Sequence, residues 1–94
     1  MMTTLIVQRK PTTAETKIEF QFNVMGLEFL VKNFTDSDIY VGFEDEKEKM
    51  ILIPAETAQV VASVTPTGHD RYDTVYVIPT AVSEKGVEVQ CLRW

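Results

Sequence analysis

His69-Asp70, followed by Tyr72 and Asp73, has the residue types of general acid–base chemistry: an imidazole titrating near neutrality and a carboxylate able to fix its tautomer. Catalysis also needs a nucleophile or an oxyanion site. The sequence has no glycine-rich phosphate loop, no nucleophile elbow and no His-rich metal pattern. His69 therefore reads as an exposed loop side chain, and the chain as a non-enzyme; a small hydrolase centred on His69 is the least favoured function. Cys91 is the single cysteine, so no internal disulfide forms. A thiolate nucleophile would need an imidazole beside it, which sequence does not place, and Cys91 reads as a small apolar residue of the last strand. Glu44, Asp45, Glu46 and Glu48 offer hard oxygen ligands for a divalent cation. Their spacing matches no EF-hand loop, and Lys47 and Lys49 interleave with them, which favours a solvated hairpin tip over a metal site. Asp36 and Asp38 precede a strand and suit turn capping better than metal binding. No catalytic, cofactor or metal residue is assigned.

Aromatic rings are the remaining candidates. Phe34, Tyr40, Tyr72, Tyr76 and Trp94 fall outside the main apolar stripes, and a row of exposed rings can bind a sugar or a protein. Tyr40, Tyr72, Tyr76 and Trp94 are thus the candidate interaction surface. Trp94, after Arg93, gains little from its large ring unless it is held against its own sheet or a neighbour. Net charge narrows the partners: 14 acidic residues oppose 9 basic ones, giving −5, and no basic cluster exceeds Arg9-Lys10. That is the wrong balance for a nucleic-acid partner. The longest aliphatic run, Met50-Ile51-Leu52-Ile53, is far short of the ~18 residues of a membrane span. An apolar patch precedes the positive charges at the start, the reverse of a secretory signal, so synthesis in the cytoplasm is expected.

The elements that must position these residues are legible. The chain has 94 residues, 45% of them apolar and 24% charged, which suits one compact domain. Val, Ile and Thr supply 29 of the 94, and these β-branched types fit a pleated sheet. Ile18, Phe20, Phe22 and Val24 alternate with polar residues, then Leu27, Phe29 and Val31 resume the alternation after Met25-Gly26. This predicts a hairpin with Val24 against Leu27, Phe22 against Phe29 and Phe20 against Val31. Asn33-Phe34-Thr35-Asp36-Ser37-Asp38 reads as a turn, and further strands are expected at 39–43, 50–53, 57–64, 72–78 and 87–91. The all-apolar strand at 50–53 leaves its register open and is compatible with burial on both faces. Residues 65–70 read as a loop and 83–86 as a turn, with Gly86 available for positive φ. Residues 1–15 read as an N-terminal arm or edge strand, with 9–14 as a linker, and 16–94 as the domain. Helix is expected at most as a short turn within Ala55 to Ala62. The fold class is therefore all-β: an antiparallel β-sandwich of about seven to eight strands, Ig-like or jelly-roll-like.

Phe29-Leu30-Val31-Lys32-Asn33-Phe34-Thr35-Asp36, Ile39-Tyr40-Val41, Ile53-Pro54, Gln59-Val60-Val61, Asp73-Thr74-Val75-Tyr76-Val77 and Val87-Glu88-Val89-Gln90 resemble a known group. They are similar to small uncharacterised proteins of tailed-phage and prophage structural gene modules. The resemblance consists of strand and turn patterns and transfers no functional residue. It implies a virion-associated β-sandwich that works in assembly or decoration, with other virion components or further copies of itself as partners. It also implies synthesis in the host cytoplasm and residence in the virion. The alternative function is a stand-alone binding module that recognises carbohydrate or a host protein through its exposed aromatics.

Overall fold

The computed structural model describes residues 6–62, 64–65 and 68–94, the side chains of 64, 65, 68 and 69 excepted. Two antiparallel four-stranded sheets pack face to face as a β-sandwich. One sheet contains β1 (Ile6–Thr12), β3 (Glu28–Asn33), β6 (Ala58–Ala62) and β10 (Ser83–Arg93), in the order β1-β10-β3-β6. The other contains β2 (Ile18–Gly26), β4 (Ile39–Gly42), β5 (Ile51–Ile53) and β9 (Tyr72–Pro79), in the order β2-β9-β4-β5. A small two-stranded ladder, β7 (Val64–Thr65) with β8 (Gly68–His69), lies between β6 and β9 in the chain. The expected loop at 65–70 is thus partly paired backbone; Pro66 and Thr67 lie outside the described residues.

Alternation along each strand builds the core. Phe20 and Phe22 of β2, Val75 and Val77 of β9, Ile39 and Val41 of β4, and Ile53 of β5 face Phe29 and Val31 of β3, Val61 of β6, and Val87, Val89 and Cys91 of β10. Ile18 and Val24 pack at its margin.

The expected hairpin about Met25-Gly26 does not form. β2 pairs with β9, Phe20 opposite Val75, whereas β3 pairs with β10 and β6, Phe29 opposite Cys91 and Val61. Residues 25–27 carry the chain from one sheet to the other, and the Leu27 N–H donates to the Arg93 carbonyl at 2.7 Å. Phe22 and Phe29 do meet, with ring centroids 5.5 Å apart, but across the seam between sheets and not along a ladder. The physical reason lies at Gly26. Its φ is not positive, so it makes no primed turn. A Cβ there would fall 2.5 Å from Phe29 Cζ and 2.6 Å from Cys91 Sγ, so glycine is needed for close approach.

Other corrections are smaller. Arg9, Lys10 and Pro11, expected in a linker, continue β1 opposite β10, and Thr12 at its end is buried with its hydroxyl on the Ala81 carbonyl at 2.8 Å. Residues 83–86 belong to β10 and form a bulge instead of a turn: Lys10 pairs with Val87 but Thr12 with Ser83. Gly86 takes φ +69° there, and a Cβ would sit 1.9 Å from the Lys10 carbonyl oxygen. The strand at 50–53 shrinks to β5, an edge strand. Ile53 is buried, but Ile51 and Leu52 are 41% and 45% exposed, so it is not covered on both faces.

Candidate interaction surface

The backbone of His69 pairs with Val64, and its side chain lies outside the described residues. Asp70 is exposed, and Asp73 accepts a hydrogen bond from the Thr74 hydroxyl at 3.0 Å. Cys91 is only 4% exposed, and burial pushes its thiol pKa up; its S–H donates weakly to the Arg93 carbonyl at 3.5 Å. A raised thiol pKa is the opposite of what a thiolate nucleophile needs. Three of the four acids at the tip following β4 are matched to lysines. Asp45 pairs with Lys17, and Glu44 and Glu46 lie 3.6 Å and 3.5 Å from Lys49 Nζ, around a 3-10 turn at Lys47–Lys49. The hydrogen bond that Lys17 donates to Asp45 raises the pKa of Lys17, and the nearby Glu44 and Glu46 carboxylates raise that of Lys49. Among the described residues no three His, Cys, Asp or Glu side chains converge as a metal site.

The turn after β3 is organised differently from expectation. Asn33 is buried, its Nδ2 donating to the carbonyls of Ser37 (2.8 Å), Pro54 (3.0 Å) and Ile53 (3.2 Å), while its Oδ1 accepts from Thr35 N (2.9 Å) and Oγ1 (2.7 Å). The bonds that hold this turn come from Asn33 and Thr35. Asp38 contributes its carbonyl, to the Thr80 hydroxyl at 2.7 Å.

The four aromatic candidates do not form one platform. Tyr40 and Tyr76 share the outer face of the β2-β9-β4-β5 sheet as diagonal neighbours, since Tyr40 pairs with Ile78 and Gly42 with Tyr76. Both are half-buried under lysines: Lys47 Nζ is 4.3 Å from the Tyr40 centroid and Lys17 Nζ 5.5 Å from that of Tyr76. Tyr72 stacks on Phe43 at the end of the core, centroids 4.7 Å apart and planes 11° from parallel. Trp94 follows β10 of the opposite sheet and is 54% exposed.

The feature that sequence reasoning missed is a difference between the two sides of the sandwich. On one side β1 and β2 are the outermost strands, and inward-pointing side chains of β1 take up the outer carbonyls of β2. Gln8 Nε2 donates to the Gln21 carbonyl, and Lys10 Nζ to the Glu19 carbonyl at 2.7 Å. The other side ends in β5 and β6, and a groove of about 400 Å³ runs between them, its lining mixed: Phe43, Ile51, Val60 and Tyr72 together with Glu44, Lys49 and Gln59. Val60, in the middle of β6, is 50% exposed, and β6 carries no charge from Ala58 to Ala62. That uncharged run was the available signal; it gains meaning only once β6 is known to be last in its sheet.

The fold and this open side define the chain as an all-β sandwich module with one flank protected and the other, among the described residues, bare. No protein-family model, no curated protein and no solved structure matches it. Among the described residues no helix is long and apolar enough to cross a membrane.

Proposed function

We propose that this chain is a phage or prophage structural or assembly protein that acts through protein–protein contacts and catalyses no reaction. The bare flank carries the proposal: among the described residues β5 and β6 present exposed Ile51, Leu52 and Val60, Ile51 and Val60 lining a groove shared with Glu44, Lys49 and Gln59, and such edges are either protected or used for association. A chain that guards its β2 edge with side chains from β1, yet leaves β6 uncharged and half-exposed, fits a module whose second flank is covered on assembly. The fates of Cys91, buried, and of Glu44, Asp45 and Glu46, paired with lysines, support a role without chemistry. Its partners on this reading are virion components, including further copies of itself, and it is made in the host cytoplasm. The test is twofold. The flanking genes should encode capsid, portal or tail proteins, and an antibody to the chain should detect it in purified particles. Metabolic neighbours together with particles that lack the chain would overturn the proposal.

A further inference from the structure

Four strands end the two sheets, and three of them are unsuited to adding a neighbour. β1 carries Arg9 and Lys10, then Pro11, which has no N–H to give. β2 has its Glu19 and Gln21 carbonyls occupied by Lys10 and Gln8. β5 is three residues long and runs into Pro54. β6 alone is five residues long, without charge and without proline.

The direction of its backbone groups follows from the ladder. The Asn33 N–H donates to the Thr57 carbonyl at 2.9 Å, so residues 57, 59 and 61 turn their peptide groups toward β3. By alternation, Ala58, Val60 and Ala62 turn theirs to the open edge, and these three positions are symmetric about Val60. We propose that two copies of this chain pair through β6, antiparallel about a two-fold axis at Val60, so that the two β1-β10-β3-β6 sheets become one continuous sheet. The inference rests on the assembly reading and names a second copy as the first partner. In this register Val60 faces Val60 of the second copy and Ala58 faces Ala62, all as hydrogen-bonded pairs, giving about six N–H···O bonds by the antiparallel pattern.

Side chains favour the same arrangement. Ala58, Val60 and Ala62 share the outer face with Lys32, Leu30 and Glu28 of β3, their ladder partners. The two-fold axis therefore aligns the Lys32 row of one copy with the Glu28 row of the other across the two alanines, about 14 Å apart by strand spacing, so that opposite charges flank the new seam while Lys32 keeps Glu88, and Glu28 keeps Arg93, as partners within the sheet. The alanines at each end leave room for the second backbone, and the paired valines supply apolar contact at the centre.

Sedimentation velocity over about 1–200 µM protein tests the proposal, because a dimer's apparent mass follows concentration. The expected result is a species of twice 10.7 kDa. Val60→Lys sets two ammonium groups against each other at the axis and should weaken association about tenfold or more. Val60→Pro removes an N–H that points out of the sheet and should do the same. Val60→Cys should cross-link on oxidation, since a hydrogen-bonded pair sets Cα atoms about 5.5 Å apart, within disulfide reach. Val82→Cys, at an exposed site away from β6, should not cross-link. A monomer across the whole range overturns the dimer, as does a dimer indifferent to both Val60→Lys and Val60→Pro. So does a monomer whose β6 amides gain protection from hydrogen exchange only when a different virion protein is added. A monomeric chain found in purified particles sinks the β6 pair and spares the assembly reading; a β6 dimer absent from particles does the reverse.

Discussion

Asn33 is the residue on which most local order converges. One buried side chain amide ties the end of β3 to the carbonyls of Ser37, Ile53 and Pro54, linking both sheets through groups that would otherwise be unpaired in the interior. Replacing it by alanine removes the donor and strands those carbonyls, so Asn33→Ala should lower unfolding free energy by about 3 kcal/mol, read from the midpoint of a urea titration at unchanged slope. A change below 1 kcal/mol would mean that water replaces the amide. Glu88 makes a second residue-level prediction. A hydrogen bond from Gln90 at 2.9 Å, and after it the Lys32 ammonium at 3.5 Å, hold its carboxyl below the ordinary 4.5. Its folded pKa is therefore depressed, and its contribution is present above pH 4.5 and lost as pH falls through the lower folded value. The pair lies at a partly solvated surface, so about 0.5 kcal/mol is at stake. Unfolding titrations at pH 7 and pH 3 should show a wild-type loss that exceeds that of Glu88→Gln by this amount, and an equal loss would discount the Lys32 and Gln90 contacts. Asn33 was legible in the sequence as a turn former. Its tie to residues 53 and 54 was not, because only the folded chain brings β5 to it.

At the scale of elements, the bulge of β10 at Gly86 explains how β1 stays in register. Three residues of β10, from 84 to 86, stand opposite the single Pro11 of β1, and the left-handed φ of Gly86 absorbs the difference. Gly86→Ala meets both a disfavoured φ and the Lys10 carbonyl, and should cost about 2–4 kcal/mol. The damage should be local first: the amides of β1 should lose hydrogen-exchange protection ahead of those of β3 and β9. Equal loss in all strands would show that β1 and the core unfold together. The strands themselves were readable because apolar and polar residues alternate in β2, β3 and β9 as half-buried strands require. The partner of each strand was not readable. An alternation that puts Phe20, Phe22, Phe29 and Val31 on one side is satisfied equally by two strands of one sheet and by two strands facing each other across a seam. Gly26 decides between them through contacts with Phe29 and Cys91, and Cys91 is distant in sequence. The bulge escaped notice for a related reason: Ser83-Glu84-Lys85-Gly86 has turn composition, and only pairing with β1 reveals it as strand.

For the whole molecule, exposure separates side chains that the fold retains from those it leaves for a neighbour. The inner residues of the sandwich, from Phe20 to Cys91, are inaccessible, and truncating any of them would cost stability. Ile51 and Leu52 are apolar to the same degree, yet stand half in water, Ile51 in the groove between β5 and β6 and Leu52 opposite Tyr40 on the outer face. Sequence could not divide these classes, because Met50-Ile51-Leu52-Ile53 reads as a uniform apolar strand and the position of β5 at the sheet edge is a property of the assembled fold. The difference is measurable. Ile51→Lys and Leu52→Lys alter exposed positions and should each leave unfolding free energy within about 0.5 kcal/mol of wild type. The double variant should bind less of a hydrophobic fluorescent dye in its native state, and less of it should be incorporated into particles assembled in its presence. Val77→Lys, by contrast, buries a charge among Phe20, Ile39 and Val41 and should abolish folding. A loss above 2 kcal/mol in Ile51→Lys would place that side chain in the fold's own core and remove β5 from the bare flank. Unchanged stability with unchanged incorporation would leave β6 as the edge that carries association.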